Sequence, residues 1–516
     1  MTTHNPRSTL LPRRPVPPKV PPSEGGSQTI AGHAPRLLLL ALPLTLLAAG
    51  CRTNPSADFQ AVQKNVSGRT GSTPEWPRSA AESEKLDARI TQLLANELTP
   101  DAAVQISLLN NRSLRATFEE IGISRADLLQ ASLPRNPQFF ASFRFPDRPP
   151  SAADTEFSIA GDIMDLLLLP LRKRVAGLQL EQTRARVSHE ILQVVAEVKE
   201  AYYTVQARQQ LIQRLQAIVE VNEAGVDLAM RQYKAGNIND LDLANQQATF
   251  QQAKLEWGKT SAQLRTDRER LNRLLGLWGA NTQWKVASEL PPIPSSEPAL
   301  EKLETRAIEQ RFDLAAARQQ ADLALRAVNL RARTKYLPAS INLGVDTERT
   351  PDRQRVTGPI LDLELPIFDQ GQAAIAKLGA QYRQAQWQLE ALATDIRSQV
   401  RQARDTMLAA RDLAEFYQKI YLPQRIRVVN ETVLQYDAMQ KGAFDLIAAK
   451  ERELTAEREY AEAWRGYWIA RAELEKALGG RLGAEPTSPS NSLAPPDGER
   501  AGVRGNKQNQ IHEHKH

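Results

Sequence analysis

The sequence predicts a mainly helical chain with a small β part: two copies of a long coiled-coil hairpin, each joined to a pair of β-strands. Three observations carry this. The body of the chain is an internal duplication. A seven-residue apolar repeat runs through residues 171–233, a stretch with no proline and only two glycines. Two pairs of short segments alternate apolar and polar residues, the period of a half-buried strand.

The duplication shows in matched segments. Leu271-Asn272-Arg273-Leu274-Leu275-Gly276 mirrors Leu474-Glu475-Lys476-Ala477-Leu478-Gly479, and Leu241-Asp242-Leu243 mirrors Phe444-Asp445-Leu446, both at an offset of 203 residues. Residues 110–116 pair with 310–316 at an offset near 200, and Pro170 pairs with Pro366 at 196. A repeat of this kind marks one supersecondary unit used twice. Each half reads as helix, strand pair, long helix, turn, helix.

The elements follow in order. Thr99 suits an N-cap, with Pro100 at the first helical position and Asp101 behind it. Asn136-Pro137 then breaks the chain. Residues 138–145 and 156–163 are strand-like, with a turn at 148–151. In the second half Ile341, Leu343 and Val345 alternate with Asn342, Gly344 and Asp346. Leu361, Leu363 and Leu365 alternate with Asp362, Glu364 and Pro366, and a charged turn at 349–355 contains Pro351. In the first long helix Ile191, Val198, Val205, Ile212, Val219 and Val226 recur every seventh residue. Val187, Val194, Ala201 and Leu215 supply most of a second seam, as in a coiled coil. At 1.5 Å per residue the helix makes a rod of roughly 90 Å. A second rod covers 372–439, and Pro423 inside it must kink the helix or interrupt its ladder.

Four strands with one apolar face create a problem. They must bury that face against a partner or lipid, and even small membrane barrels need about eight strands. The chain should therefore share a barrel with copies of itself, and its helical hairpins should pack side by side into a cylinder.

Composition narrows the class. The chain has 516 residues, 24% charged, with a net charge of +6 and a single cysteine. Its mean hydropathy of -0.44 excludes a helical transporter, which needs several apolar stretches of roughly 20 residues. Mixed charges show no nucleic-acid footprint, and one cysteine forms no internal disulfide. The apolar run at 37–50 follows Arg36 and reads as a secretory signal. It ends in Leu47-Ala48-Ala49-Gly50-Cys51, a match to the bacterial lipobox, which makes Cys51 the expected lipidation site. Arg52 follows it, not the Asp that retains enteric lipoproteins in the inner membrane. The leader before Arg36 is long and proline-rich, and the next Met after Met1 is Met164, so a non-Met start is open.

The expected organisation is a leader and signal peptide at 1–50, a polar lipidated linker at 51–83, a first repeat at 84–290, a second at 291–480, and a disordered polar tail at 481–516. His512, His514 and His516 alternate in that tail, either a weak site for a divalent metal or simply a flexible end. His189, the one histidine of the body, suits a solvated coiled-coil position. Arg172-Lys173-Arg174 sits near where a strand meets a helix. Tyr202, Tyr203, Trp464 and Trp468 read as packing residues. No phosphate loop, paired histidine ligands or nucleophile beside a base is present; no enzyme activity and no cofactor are expected.

Residues 110–116, 131–137, Tyr233-Lys234-Ala235-Gly236 with Leu241-Asp242-Leu243, and Gly442-Ala443-Phe444-Asp445-Leu446 give the chain a resemblance to the TolC outer-membrane factor family over about 84–480. The lipobox makes it similar to the lipoprotein branch of the OprM, CusC and CzcC type. Residues 436–450 and 464–478 look closest to its metal-efflux members. The resemblance implies a homotrimer with a 12-stranded barrel in the outer membrane and a 12-helix cylinder in the periplasm. It implies a passive exit duct of a tripartite efflux pump, with a periplasmic adaptor and an inner-membrane pump of the RND type as partners. It also places most of the mass in the periplasm, with outer-membrane lipid around the barrel.

The same resemblance sets the helix-to-helix turns at the periplasmic end, where the adaptor docks. Their residues are Tyr233, Gly236, Leu241, Leu243, Gly442, Phe444 and Leu446. Gly236 and Gly442 suit turns that need permissive backbone angles. Asp242 and Asp445 match family aspartates that ring the closed aperture; as residues of a first helical turn they equally complement a helix dipole. The outlet of a type I protein secretion system and a pore-less coiled-coil scaffold are the alternatives, the latter having no use for amphipathic strands.

Overall fold

The computed structural model describes residues 54–149, 152–298, 300–338 and 340–483. Cys51, the signal segment and the histidine-containing end of the tail lie outside the described residues.

The described residues begin with a helix where a polar linker was expected. Helix α1 (Ser56–Thr70) looks polar, yet Phe59, Val62 and Val66 fall on one face and are buried. Phe59 packs edge-on against Phe118, ring centroids 5.0 Å apart, and tilted against Trp76. Three apolar side chains at helical spacing were enough to order this segment. Helix α2 (Ala80–Leu94) follows, capped by Ser79, whose hydroxyl accepts from the Glu82 amide at 3.2 Å. Helix α3 (Pro100–Asn110) starts as expected, Thr99 accepting from the Ala102 amide at 3.1 Å. Asn111 caps α4 (Arg112–Ala131).

The strands are β1 (Gln138–Arg144) and β2 (Asp154–Asp162) in the first half, β3 (Ile341–Arg349) and β4 (Arg355–Leu363) in the second. They form one antiparallel sheet in the order β1-β2-β3-β4, the two hairpins joined through β2 and β3. One face carries Phe139, Phe143, Ile159, Leu343, Val345, Leu361 and Leu363, all exposed. The other carries Glu156, Glu348, Asp346 and Asp362 with Arg144, and also Phe140, Val356 and Ile360. Gly344 is required by close approach: a Cβ there would lie 2.4 Å from the Ile159 carbonyl oxygen.

Helix α5 (Ile163–Lys234) is 72 residues long, a rod of about 108 Å. It starts earlier than the sequence suggested. Asp162 accepts from the Met164 and Asp165 amides at 3.0 and 3.3 Å, and the helix carries Pro170 inside it. Its partner α6 (Asp240–Leu275) returns antiparallel beside it. The expected seam holds at Ile191, Val198 and Val205, all fully buried, but Ile212, Val219 and Val226 are only half-buried. Burial moves one residue back, to Leu211, Ile218 and Gly225. The buried set changes because the partners change: Ile191, Val198 and Val205 belong to the main core, whereas Leu211, Leu215 and Ile218 pack in a separate cluster with Ala253 of α6 and Leu454.

The second half repeats the plan with α7 (Leu303–Gln310), α8 (Phe312–Arg333), α9 (Gln372–Phe416), α10 (Leu422–Asp437) and α11 (Ala443–Leu478). A π-helical turn, Tyr417–Tyr421, joins α9 to α10 just before Pro423. Proline offers no N–H to the preceding turn, and the ladder absorbs the gap as a bulge. The main core lies where α3, α5 and the C-terminal ends of α6 and α11 meet the segment between the repeats. Tyr202, Leu271, Leu275, Trp284, Tyr467, Leu474 and Leu478 are buried there. Among the described residues no helix is long and apolar enough to cross a membrane.

Candidate functional site: the helical tips and the helix ends opposite them

The two hairpin tips are built alike. After α5, Gly236 donates to the Tyr233 carbonyl and Asn237 to Gln232, both at 2.9 Å. After α10, Met439 donates to Tyr436 at 2.9 Å and Gln440 to Gln435 at 2.8 Å. Both are Schellman turns, with the left-handed residue at equivalent places: Gly236 at φ 75° and Met439 at φ 58°. The glycine argument therefore holds for Gly236 and fails for Gly442. Gly442 has φ -82° and is the N-cap of α11; the strained position of that tip is Met439, 94% exposed.

Asp242 and Asp445 occupy the same position, third in their helices, and both are exposed. Asn239 caps α6 by accepting from the Asp242 amide at 2.9 Å. Asp445 instead reaches back and accepts from the Gly442 amide at 3.1 Å. Asp445 thus does the capping that glycine cannot, while the Asp242 carboxylate is left to the helix N-terminus and to whatever faces it. Tyr233 and Leu241 are exposed; Leu243, Phe444 and Leu446 are half-buried. The Asp240 carboxylate beside Tyr233 raises its phenol above the ordinary value. Gly225 of α5, passed over in the sequence, brings the hairpins together: a Cβ there would sit 3.6 Å from both Gln246 of α6 and Ile447 of α11.

The opposite ends of α6 and α11 are clamped, again by equivalent positions. Asn110 donates to the Leu275 and Gly276 carbonyls at 3.1 and 2.7 Å, and Asn111 to Leu274 at 3.0 Å. In the second half Arg311 reaches Ala477 at 3.4 Å, and Arg69 of α1 donates to Gly479 just past α11 and to Gln310 at the end of α7. Arg69 is buried, lies 3.8 Å above the Phe312 ring and has no carboxylate within ion-pair distance among the described residues. Burial pulls its guanidinium down to about 10. Helix C-terminal carbonyls take the place of a counter-ion.

Other expected positions fall as follows. His189 is half-buried, not solvated. Its ring lies 2.8 Å from Gln193 Nε2 and 3.9 Å from Asp313, on an open cavity of about 520 Å³ shared with Arg311, Gln399 and Lys476. Burial lowers its pKa, against the opposing pull of Asp313. No group of metal-ligating side chains occurs among the described residues. Tyr203 stacks on Trp468 at 5.3 Å, and Trp464 and Trp468 both donate to the Pro291 carbonyl at 2.9 Å, so these aromatics pack the strap between the repeats. Arg172 lies inside α5 and pairs with Asp165 at 2.8 Å, which also meets Arg135 at 3.2 Å.

The fold is a small sheet with an exposed apolar face, carried on long duplicated hairpins. The comparisons agree. Residues 172–277, most of α5 with α6, match the outer membrane efflux protein family. Its relatives include the cobalt-zinc-cadmium resistance protein CzcC of Cupriavidus metallidurans, 23% identical over 443 residues, which cover 85% of this chain and 99% of that protein. Among solved structures it is similar to CusC, with a TM-score of 0.62 at 17% identity over 74% of this chain and 92% of that one. It is likewise similar to the outer membrane protein VceC of Vibrio cholerae, with a TM-score of 0.60 at 16% identity over 79% and 100%.

Proposed function

We propose that this chain is the outer-membrane exit duct of a tripartite efflux pump, assembled as a homotrimer. The observation that carries the reading is the open sheet. Among the described residues its β1 and β4 edges have no partner strand, and its apolar face is bare. Three copies joined edge to edge give twelve strands, enough to close a barrel, and bury every edge. The helices, too polar for lipid, form the periplasmic part, with tips that receive an adaptor and, through it, an inner-membrane pump of the RND type. Cys51 carries the lipid anchor, and Asp242 and Asp445 line the aperture. The test is mass and conductance together: a trimer that conducts in planar bilayers supports the reading, and a stable monomer that conducts overturns it. Loss of palmitate labelling in Cys51→Ser tests the anchor.

Divalent metal ions are the proposed cargo, on the likeness to CzcC along nearly its whole length. A deletion strain sensitive to cobalt, zinc and cadmium but not to hydrophobic drugs supports this; the reverse pattern assigns drugs instead.

A further inference from the structure

We infer that the outer rim of the sheet binds the phosphate groups of the outer-leaflet lipid, through Arg349, Arg353 and Arg355. The inference rests on the membrane-barrel reading above and goes beyond it. The β-register sorts the apolar face into rows. Starting nearest the helices, Ile341 stands opposite Leu363 and Leu343 opposite Leu361, then Phe139, Ile159, Val345 and Pro359 share a row. Next come Ala141, Phe157, Thr347 and Thr357, and last Phe143, Thr155, Arg349 and Arg355. The face passes from aliphatic to hydroxyl to cationic, with an aromatic ring in the last row. That is the polarity profile of a lipid leaflet from tails to headgroups.

Two features set the last row apart. Arg349 and Arg355 are directly opposite in register, and like charges so placed destabilise a strand pair unless an anion lies between them. Arg353, in the turn that joins their strands, has φ 69°, a conformation that glycine adopts without strain. Its amide closes the turn on the Thr350 carbonyl at 2.9 Å. A glycine would serve this turn better, so the guanidinium needs a use outside the chain. All three arginines are exposed, and among the described residues none has a carboxylate within 4.0 Å. The contrast is Arg144 on the other face, which pairs with Glu156 at 2.6 Å and Asp154 at 3.6 Å.

The strands lead into the helices at their other ends, so on the membrane reading these turns face the exterior. There the anionic groups at headgroup depth are the phosphates of a glucosamine-based lipid. Planar guanidinium forks suit phosphate oxygens.

The test uses the full-length trimer in phosphatidylcholine nanodiscs. Bisphosphorylated lipid A is titrated in and bound lipid is counted by native mass spectrometry, with phosphatidylglycerol, dephosphorylated lipid A and inorganic phosphate as separate arms. Wild type should retain lipid A selectively. The triple change Arg349→Gln, Arg353→Gln and Arg355→Gln should weaken it roughly tenfold or more. Arg353→Gly, which suits the turn and preserves the fold, should weaken it by a smaller factor. Equal retention by all three proteins overturns the inference, as does equal retention of dephosphorylated lipid A or of phosphatidylglycerol. Displacement by millimolar inorganic phosphate would mark a free-anion site and also overturn it. A variant trimer that dissociates more readily with unchanged lipid retention would assign the arginines to a neighbouring copy instead. Bilayer conductance separates the two levels: a wild type that conducts but does not discriminate lipids sinks this inference alone, and one that never inserts sinks the barrel with it.

Discussion

The first repeat is the spine of the chain and the second is its open flank. Helix α5 runs unbroken, packed against α4, α6, α8 and α11, and buries side chains along most of its length. Its counterpart is interrupted at the π turn, and α10, below the break, buries none and packs chiefly on α11. Ile426, Val428, Val433 and Leu434 of α10 remain exposed. Duplication supplied two similar hairpins, but one chain has material to enclose only one of them. The apolar surface of the other is the surface that the proposed trimer covers with the next copy.

The largest expected effect breaks the spine. Ile191→Ala removes a fully buried side chain from α5 and should cost about 2–5 kcal/mol in a thermal or urea melt. Leu434→Ala on α10, 63% exposed in the chain, should cost the isolated fold under about 0.5 kcal/mol and instead lower the detergent resistance of the oligomer. Similar losses from both variants, with oligomers unaffected, would erase the distinction between spine and flank.

The second expected effect concerns the clamps. Arg69→Ala leaves the Gln310 and Gly479 carbonyls without their donor, as Asn110→Ala does for Leu275 and Gly276. Each should cost on the order of 1–3 kcal/mol. Arg69→Ala should in addition loosen α1, read as faster amide exchange over residues 56–70, a response that Asn110→Ala lacks. If α1 exchanges alike in both variants, Arg69 does not hold it.

How much of this was legible depended on range. The duplication, the four strands, the break at Pro423 and the Thr99 cap all rest on local pattern and turned out as the pattern implied. Helix α1 was missed because three apolar residues in a polar segment are a weak signal until Phe118 and Trp76 receive them. The start of α5 was misplaced because the proline-free stretch begins only at residue 171; a helix already anchored by the Asp162 cap tolerates Pro170. Arg69 was invisible: its acceptors lie 241 and 410 residues away, and nothing in its neighbourhood marks it. At the tips, Gly236 was legible from its residue type, whereas a methionine in the left-handed region announces nothing.

That pair gives the next test. Met439→Gly should relieve backbone strain and stabilise the chain by about 1 kcal/mol, and Gly236→Ala should destabilise it by about the same amount. The two shifts in melting temperature should be opposite in sign. Shifts of the same sign would mean that the tips are not equivalent in conformation.

The aspartates are expected to act only modestly on stability, and there the readout must be transport. Asp445 accepts the Gly442 amide, so Asp445→Ala should lose a cap, about 0.5–2 kcal/mol. Asp242 sits behind a cap already supplied by Asn239, so Asp242→Ala should lose only the helix-dipole interaction, about 0.3–1 kcal/mol. On the proposed aperture reading, a closed trimer would place six carboxylates in a narrow throat, where mutual repulsion strengthens as the local dielectric falls. Such a ring draws in cations, so divalent ions added from the periplasmic side should block the conductance. Because Asp242 has no capping partner of its own, its carboxylate is the freer of the two to bind them. Asp242→Ala should therefore weaken the block more than Asp445→Ala, although it disturbs the fold less. The titration of single-channel current with a divalent ion decides between aperture and dipole. Blocking constants that follow the stability loss, Asp445 ahead of Asp242, would make both residues structural and place the gate elsewhere.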